Sequence, residues 1–322
     1  MTEVNTVMGA ISADKLGTTL IHEHVSGSLP GQPSIIPVDP DEKRAIAFDC
    51  ARALEEVKSC GMVTMFDATP IDFGRDVELI KEVSAISGIN IVCATGLYRE
   101  MSDEGGGNTP ESQKKSTVDE LYELFRNEIV QGIGSTGIKA GVIKVGTGHG
   151  SISAYEERVL KAAARAQKDT GVPIITHTEA GTMGLEQADM LISEGVDPKR
   201  IMIGHRGANT DLKHHVSVLE RGVYIAFDRF GLEFEVTDVI RKACIIGLIG
   251  IGYADRIMLS NDCIIHQPGS TPDSRKSAKA SGFNWSCEHI FENIIPGLKE
   301  SGVTDDTIET ITVRNPRRLL AG

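Results

Sequence analysis

His22 and His24 stand two residues apart in the segment TTLIHEHV, within a run of β-forming residues. In an extended strand alternate side chains share a face, roughly 6–7 Å apart. Two imidazoles so placed can converge on one cation, each offering a neutral ring nitrogen. Taken alone the pair is equally the polar end of an edge strand, so the rest of the chain decides. Three more candidate ligands close apolar runs of the same kind or follow them: His177 in PIITHTEAG, His205 in IMIGHRG and Asp262 in IMLSNDC. Asp262 offers a hard oxygen ligand or a general base, although Asn-Asp is also ordinary turn chemistry.

Lys144, near the end of the run GVIKVGTG, is the odd member of this set. An ammonium has no lone pair and cannot bind a cation, and a lysine near a strand end ordinarily snorkels or pairs with a carboxylate. Four histidines and one aspartate fill about one and a half zinc shells, so a site holding two metals lacks a bridging anion. A carbamylated Lys144 would provide it. The remaining histidines, His149, His214, His215, His266 and His289, fall in loops or helices and read as surface or supporting residues.

These residues need a scaffold that brings strand ends together. Short apolar runs alternate with stretches of helical period, the pattern of βα units around a parallel sheet. Strands are predicted at 18–24, 62–67, 89–95, 140–145, 173–177, 201–205, 224–228 and 257–260. Ile46, Cys50, Leu54 and Val57 repeat at helical spacing before Gly61, and Thr117 with Glu120 and Ser153 with Glu156 are capping-box signatures. Eight units without a linker argue for an α/β fold of the (β/α)8 TIM barrel type, one domain over residues 1–322. A doubly wound open sheet also alternates but holds fewer strands. In a barrel the active site lies at the carboxyl ends of the strands, where the candidate ligands fall. The Gly-, Ser- and charge-rich stretch 103–115 reads as a mobile loop.

Composition fits an ordinary globular enzyme: 40% hydrophobic residues, 24% charged and 34 glycines. A formal net charge of -12 argues against nucleic acid or an anionic membrane as the main partner. The six cysteines form no CxxC and no short secreted framework, so they read as reduced thiols, most of them core filler. With no signal-like N-terminus and no apolar run approaching 18 residues, the expected location is the cytoplasm.

The segments HEH, GVIKVGT, THTEAGTMGLEQ, IGHRG, DRFGLE, SNDC and NWSCEHIFENIIPGLKESGV together resemble the phosphotriesterase family, in particular its lactonase branch, within the amidohydrolase superfamily. The likeness runs to the closing VRNPRRLLA. It implies that His22, His24, a carbamylated Lys144, His177, His205 and Asp262 hold two divalent metals, with Zn expected and Mn, Co or Fe compatible with an N/O site. It further implies a hydrolase that opens a lactone or other ester by attack of a metal-bridging hydroxide, with Asp262 accepting the proton. Tyr98 in GLYRE and Arg229 in DRFG match pocket-lining positions of the lactonase branch. Tyr98 is expected to contact the substrate or leaving group, and Arg229 to hold its loop, unless it forms only a structural salt bridge with Asp228 or Glu233. A homodimer is the expected assembly.

The chain departs from that pattern in the connection 263–284, which carries Arg275, Lys276 and Lys279 with Phe283 as its aromatic residue. So polar a loop weakens the case for a long alkyl chain and leaves room for a polar or anionic substrate. Arg206, directly after a candidate ligand, could meet a carboxylate or phosphate through its bidentate fork, or point outward. The rival reactions are organophosphate triester hydrolysis and, on C–N bonds, deamination or cyclic amide hydrolysis. A barrel kept only for binding would predict a broken ligand set, whereas all six positions are filled.

Overall fold

The computed structural model describes residues 2–37, 39–102, 106–267 and 284–322. All eight predicted strands form. They are preceded by an antiparallel hairpin, β1 (Glu3–Thr6) and β2 (Gly9–Ser12), that the short, unpatterned N-terminal sequence does not announce. The barrel strands are β3 (Thr19–Ser26), β4 (Thr64–Asp67), β5 (Asn90–Gly96), β6 (Val142–Thr147), β7 (Ile174–Thr178), β8 (Ile201–Ile203), β9 (Tyr224–Phe227) and β10 (Ile257–Leu259). Neighbours in sequence are neighbours in the sheet, every pair is parallel, and a further strand β11 (Ile264–His266) adds to the free edge of β3.

That last strand closes the barrel. The Asp262 amide donates to the His22 carbonyl at 3.0 Å, and the His24 amide to the Cys263 carbonyl at 2.9 Å. Beyond β10 the chain therefore kinks and continues along β3 as β11. The kink falls at Asp262, whose φ of 55° lies in the left-handed region, a conformation that costs a non-glycine residue free energy and persists only where its surroundings hold it.

Two apolar layers sandwich the strands. Ile21, Phe66, Val92, Val142, Ile175, Met202, Ala226 and Met258, from the eight strands, fill the barrel interior, with Leu16, Leu319 and Leu320 packed on the same cluster. Leu20, Met65, Ile91, Ile143, Ile174, Ile203, Ile225 and Leu259 face outward onto the helices. Both faces of the sheet are thus covered, which is why the strands read as near-continuous apolar runs. Helix α1 (Pro40–Ser59) buries Cys50, Leu54 and Val57. Helix α2 spans Val77–Ser87, and α3, a single turn at Glu111–Lys114, lies inside the stretch read as a loop. Gln113 on α3 donates to Asp72 at 2.6 Å and Tyr155 at 2.5 Å, so the described part of 103–115 is anchored; residues 103–105 lie outside the described residues. Both capping boxes form, Thr117–Glu120 opening α4 (Val118–Val130) and Ser153–Glu156 opening α5 (Ala154–Thr170). The outer layer is completed by α6 (Gly184–Ser193), α7 (Leu212–Leu219) and α8 (Asp238–Gly250), then a C-terminal run of helical turns.

One glycine bears directly on the strand that carries Lys144. Gly96 ends β5 opposite Lys144 with φ 108°, and a Cβ built there would lie 1.9 Å from the Lys144 carbonyl oxygen. Gly96→Ala must push β5 from β6 while holding alanine at positive φ. We expect a loss of about 2–4 kcal/mol, read as a lower urea midpoint with little change in m-value.

Candidate metal centre

Strand β3 supplies two candidate ligands through a local irregularity. Leu20 pairs with Met65 and Glu23 with Asp67, so Ile21 and His22 together oppose Phe66, as in a β-bulge. Ile21 packs in the barrel interior and His22 reaches Lys144 from the same side, which consecutive residues of a regular strand cannot do. His24 then faces inward again, its ring centroid 5.4 Å from that of His22. His177 lies on β7. His205 lies two residues beyond β8 in a left-handed conformation, φ 55°. Its ring stacks against His22 at 4.7 Å and meets His177 edge-on at 4.5 Å.

Hydrogen bonds fix which nitrogen of three rings is free. Asp228, fully buried at the end of β9, faces His22 Nδ1 at 2.7 Å and His205 Nδ1 at 3.1 Å, and accepts the His205 backbone N–H at 2.7 Å. An ionised carboxylate only accepts, so both rings carry their proton on Nδ1. Thr69 Oγ1 donates to the Ser26 carbonyl at 3.3 Å and therefore accepts from His24 Nδ1 at 2.8 Å. All three Nε2 lone pairs are left turned toward the centre. There they face Asp262: Oδ1 lies 3.3 Å from His22 Nε2 and 3.1 Å from His24 Nε2, and Oδ2 lies 3.7 Å from His205 Nε2. Acceptor thus meets acceptor in a buried place. A divalent cation is the group that reconciles them, so the donor set fits a metal. His177 turns Nε2 to Glu179 at 3.1 Å, which leaves Nδ1 as its remaining ligand atom.

The electrostatics agree with neutral ligands. Burial lowers the pKa of His22 and His205 and takes His177 down to about 4, so the rings keep their lone pairs at neutral pH. Burial would raise Asp262, but its charged surroundings, the Arg229 guanidinium among them, hold it well below the usual carboxylate range. Lys144 is fully buried on β6, its Nζ 2.8 Å from His22 Nε2 and 3.5 Å from the Thr176 carbonyl. Among the described residues no carboxylate forms an ion pair with it, and burial lowers its amine to about 8.

A cavity of about 490 Å³ opens over this cluster, lined by all six candidate ligands and by Tyr98, Arg99, Arg229, Phe73, Leu232 and Trp285 among others. Tyr98 sets its ring edge-on to His177 at 5.0 Å, and burial raises its phenol to about 12, so it stays a neutral donor. Arg229 pairs neither with Asp228 nor with Glu233: Nε donates to Asp262 Oδ2 at 3.2 Å and Nη1 to Glu235 Oε1 at 2.9 Å. Arg206 is the misplaced expectation. Its side chain is wholly buried, does not line the cavity, and donates to the Gly181 carbonyl beside Gly184 at the start of α6. The left-handed turn at His205 sends consecutive side chains to opposite sides of the wall. The basic lining residue that the sequence reading missed is Arg99, whose Nε lies 2.9 Å from Glu179 Oε2. Asp228 was missed as well; its signal was an acidic residue at the carboxyl end of a barrel strand. Of the polar connection 263–284, residues 268–283, including Arg275, Lys276, Lys279 and Phe283, lie outside the described residues.

Comparison with known proteins gives a consistent result. The family model described as phosphotriesterase family matches residues 2–320. The chain is 34% identical over 318 residues to an aryldialkylphosphatase of Saccharolobus solfataricus, covering 97% of each chain. It is 31% identical over 333 residues to a phospho-furanose lactonase of Mycoplasmopsis synoviae, covering 98% of this chain and 91% of that one. The solved structure of an organophosphorus hydrolase from Deinococcus radiodurans superposes with a TM-score of 0.90 at 40% identity, covering 99% of this chain and 97% of that one.

Proposed function

The chain belongs to the phosphotriesterase family, whose members are metal-dependent hydrolases of ester bonds, and from that premise we propose that it is a two-metal lactonase. The observation that carries the metal reading is that the Nε2 lone pairs of His24 and His205 turn onto the Asp262 carboxylate with no proton to share, beside the His22 Nε2 that Lys144 Nζ approaches at 2.8 Å. His22, His24, His177, His205 and Asp262 are the direct ligands, and Lys144 joins them as a carbamate. An uncharged Lys144 amine would attack CO2, forming a C–N bond and releasing one proton, and the resulting anion would add negatively charged oxygen donors to a set of four neutral rings and one carboxylate. When bound, two divalent cations supply a Lewis acid for the carbonyl and a water acidified toward neutral pH.

The protein's own groups do the rest. Asp262 takes the proton of the attacking water, and Arg229, paired to its Oδ2, holds the carboxylate toward the cluster. Tyr98 donates a hydrogen bond to the ring oxygen that becomes the leaving alkoxide. The lactone preference rests on this donor. An alkyl alkoxide is a poor leaving group that needs one, whereas the nitrophenolate of paraoxon leaves without help. The relatives' names span both reactions, a lactonase and organophosphorus hydrolases. Leu232, Phe73 and Trp285 form apolar walls, while Arg99 and Glu179 keep one side polar, which suits a compact lactone with a polar substituent.

Elemental mass spectrometry of the purified protein, with a pH-indicator screen of γ- and δ-lactones against paraoxon, tests this reading. About two metals per chain and faster lactone turnover are expected. One metal or none, or paraoxon as the better substrate, would reject it. Tyr98→Phe sharpens the test. Losing a hydrogen bond to a charged oxygen, about 1.5–3 kcal/mol, should lower lactone kcat/KM by roughly 10–150-fold and leave paraoxon within about threefold. Equal losses on both substrates would remove Tyr98 from leaving-group chemistry.

A further inference from the structure

Behind the wall of the metal centre lies a second group of donors that the hydrolytic reading does not use. Glu23 sits between His22 and His24 on β3 but is absent from the cavity lining, as are Cys263 and Cys287. A carboxylate oxygen of Glu23 and the two sulfurs lie within 4.8 Å of one another, and all three residues are buried. Three chain segments meet here: the bulged strand, the kink after Asp262, and the turn ahead of the helical segment Ile290–Ile294.

The carboxylate is satisfied only by neutral donors. Ser260 Oγ and the Asn261 N–H give to Oε1 at 2.7 and 2.8 Å, and the Cys263 N–H gives to Oε2 at 2.7 Å. Among the described residues no basic side chain pairs with it, although a wholly buried carboxylate ordinarily has a cationic partner. A carboxylate has about four acceptor positions, so Oε2, with one donor, keeps one free. A soft divalent ion takes two thiolates and a carboxylate readily. At Zn–S distances of about 2.3 Å its donors stand roughly 3.5–3.8 Å apart, an inward movement of about 1 Å from the present spread.

We propose that Glu23, Cys263 and Cys287 form a separate, sulfur-containing cation site for a zinc-like ion, one that supports the metal centre without joining the chemistry. Binding is balanced by release to solvent of the two thiol protons and of the proton that burial favours on the Glu23 carboxyl. The ion ties together the backbones that carry His22, His24 and Asp262. Taking up the ion exchanges the hydrogen bond that the Cys263 thiol donates to the Trp285 carbonyl at 3.7 Å for a sulfur–metal bond.

The test uses the full-length, metal-replete protein under reductant in a Cys60→Ser background, which removes the exposed thiol. Titrated with Cd2+, it should develop the ultraviolet thiolate-to-cadmium charge-transfer band, saturating at one equivalent, with a rise in Tm. Cys287→Ser should weaken that binding at least tenfold. Cadmium-113 NMR of the protein with its thiol pair intact gives the same answer without a variant, because sulfur-bound and N/O-bound cadmium resonate far apart. Absence of the band and of a sulfur-shifted resonance, a band unchanged by Cys287→Ser, or an intact mass showing a Cys263–Cys287 disulfide would each overturn the proposal. A sulfur signature cannot arise from the histidine–aspartate centre, so this outcome is independent of how many metals that centre holds.

Discussion

Lys144→Ala is expected to lose metal and activity together. Bound metal should fall from about two per chain to one or fewer, and lactone kcat/KM by at least about 1000-fold, equivalent to roughly 4 kcal/mol of transition-state stabilisation. The size of the effect follows from where the side chain ends. Its Nζ is fully buried, meets the lone pair of His22 Nε2 and a carbonyl at the limit of hydrogen bonding, and has no carboxylate pair among the described residues. A lysine kept for charge pairing would have its partner there. Burial lowers its pKa to about 8, so at neutral pH it holds a far larger uncharged fraction than an exposed lysine does, and that fraction is the form the proposed carbamylation needs. Removing it leaves the barrel wall intact, so circular dichroism should be unchanged while elemental analysis and turnover collapse. Wild-type protein equilibrated with 13C-bicarbonate should show a carbamate carbon resonance that Lys144→Ala lacks. A variant that kept both metals and full turnover would reduce Lys144 to packing and end the bridging argument.

How far the sequence disclosed this arrangement depends on the range of the interactions involved. The eight strands were legible because both faces of each are buried, giving apolar runs, and the two capping boxes because they are closed within four residues. His22, His24 and His177 were legible because they lie on strands. His205 and Asp262 were assigned to the right ends of the barrel, yet both sit beyond their strands in left-handed backbone without a glycine to mark it. The same turn misdirected the reading of Arg206, since it brings His205 to the cavity and leaves Arg206 buried on the other side of the wall. The bulge that lets Ile21 and His22 both turn inward depends on pairing with β4, more than forty residues away. Asp228 shows the limit most clearly. It was weighed only as a local partner of Arg229, but its contacts are a ring 206 positions earlier and another 23 positions earlier, and no local pattern encodes those.

Asp228 is therefore where removing a residue that touches neither substrate nor metal should have the largest effect. Its two oxygens act separately: Oδ2 faces His22 Nδ1, and Oδ1 takes both the N–H and Nδ1 of His205. In Asp228→Asn one of these oxygens becomes an amide N–H2. If the amide keeps its oxygen for the strained His205 turn, the NH2 faces His22 Nδ1 and favours the tautomer with its proton on Nε2, closing the ligand position. Turned the other way, it does the same to His205 and removes the acceptor that holds φ at 55°. Either orientation disables one ring, so the near-isosteric substitution is expected to be as damaging as Asp228→Ala, which merely frees the rings. Loss of such a supporting partner ordinarily weakens metal affinity or activity 10–100-fold. Here the deficit should appear in the binding of at least one metal and be partly recovered at saturating metal, whereas the Lys144→Ala defect should not be. Metal titration of the stripped variants, followed by turnover at low and high metal, separates the two. Unchanged metal affinity in Asp228→Asn would mean that packing alone orients the histidines, and that the carboxylate is retained for the His205 backbone.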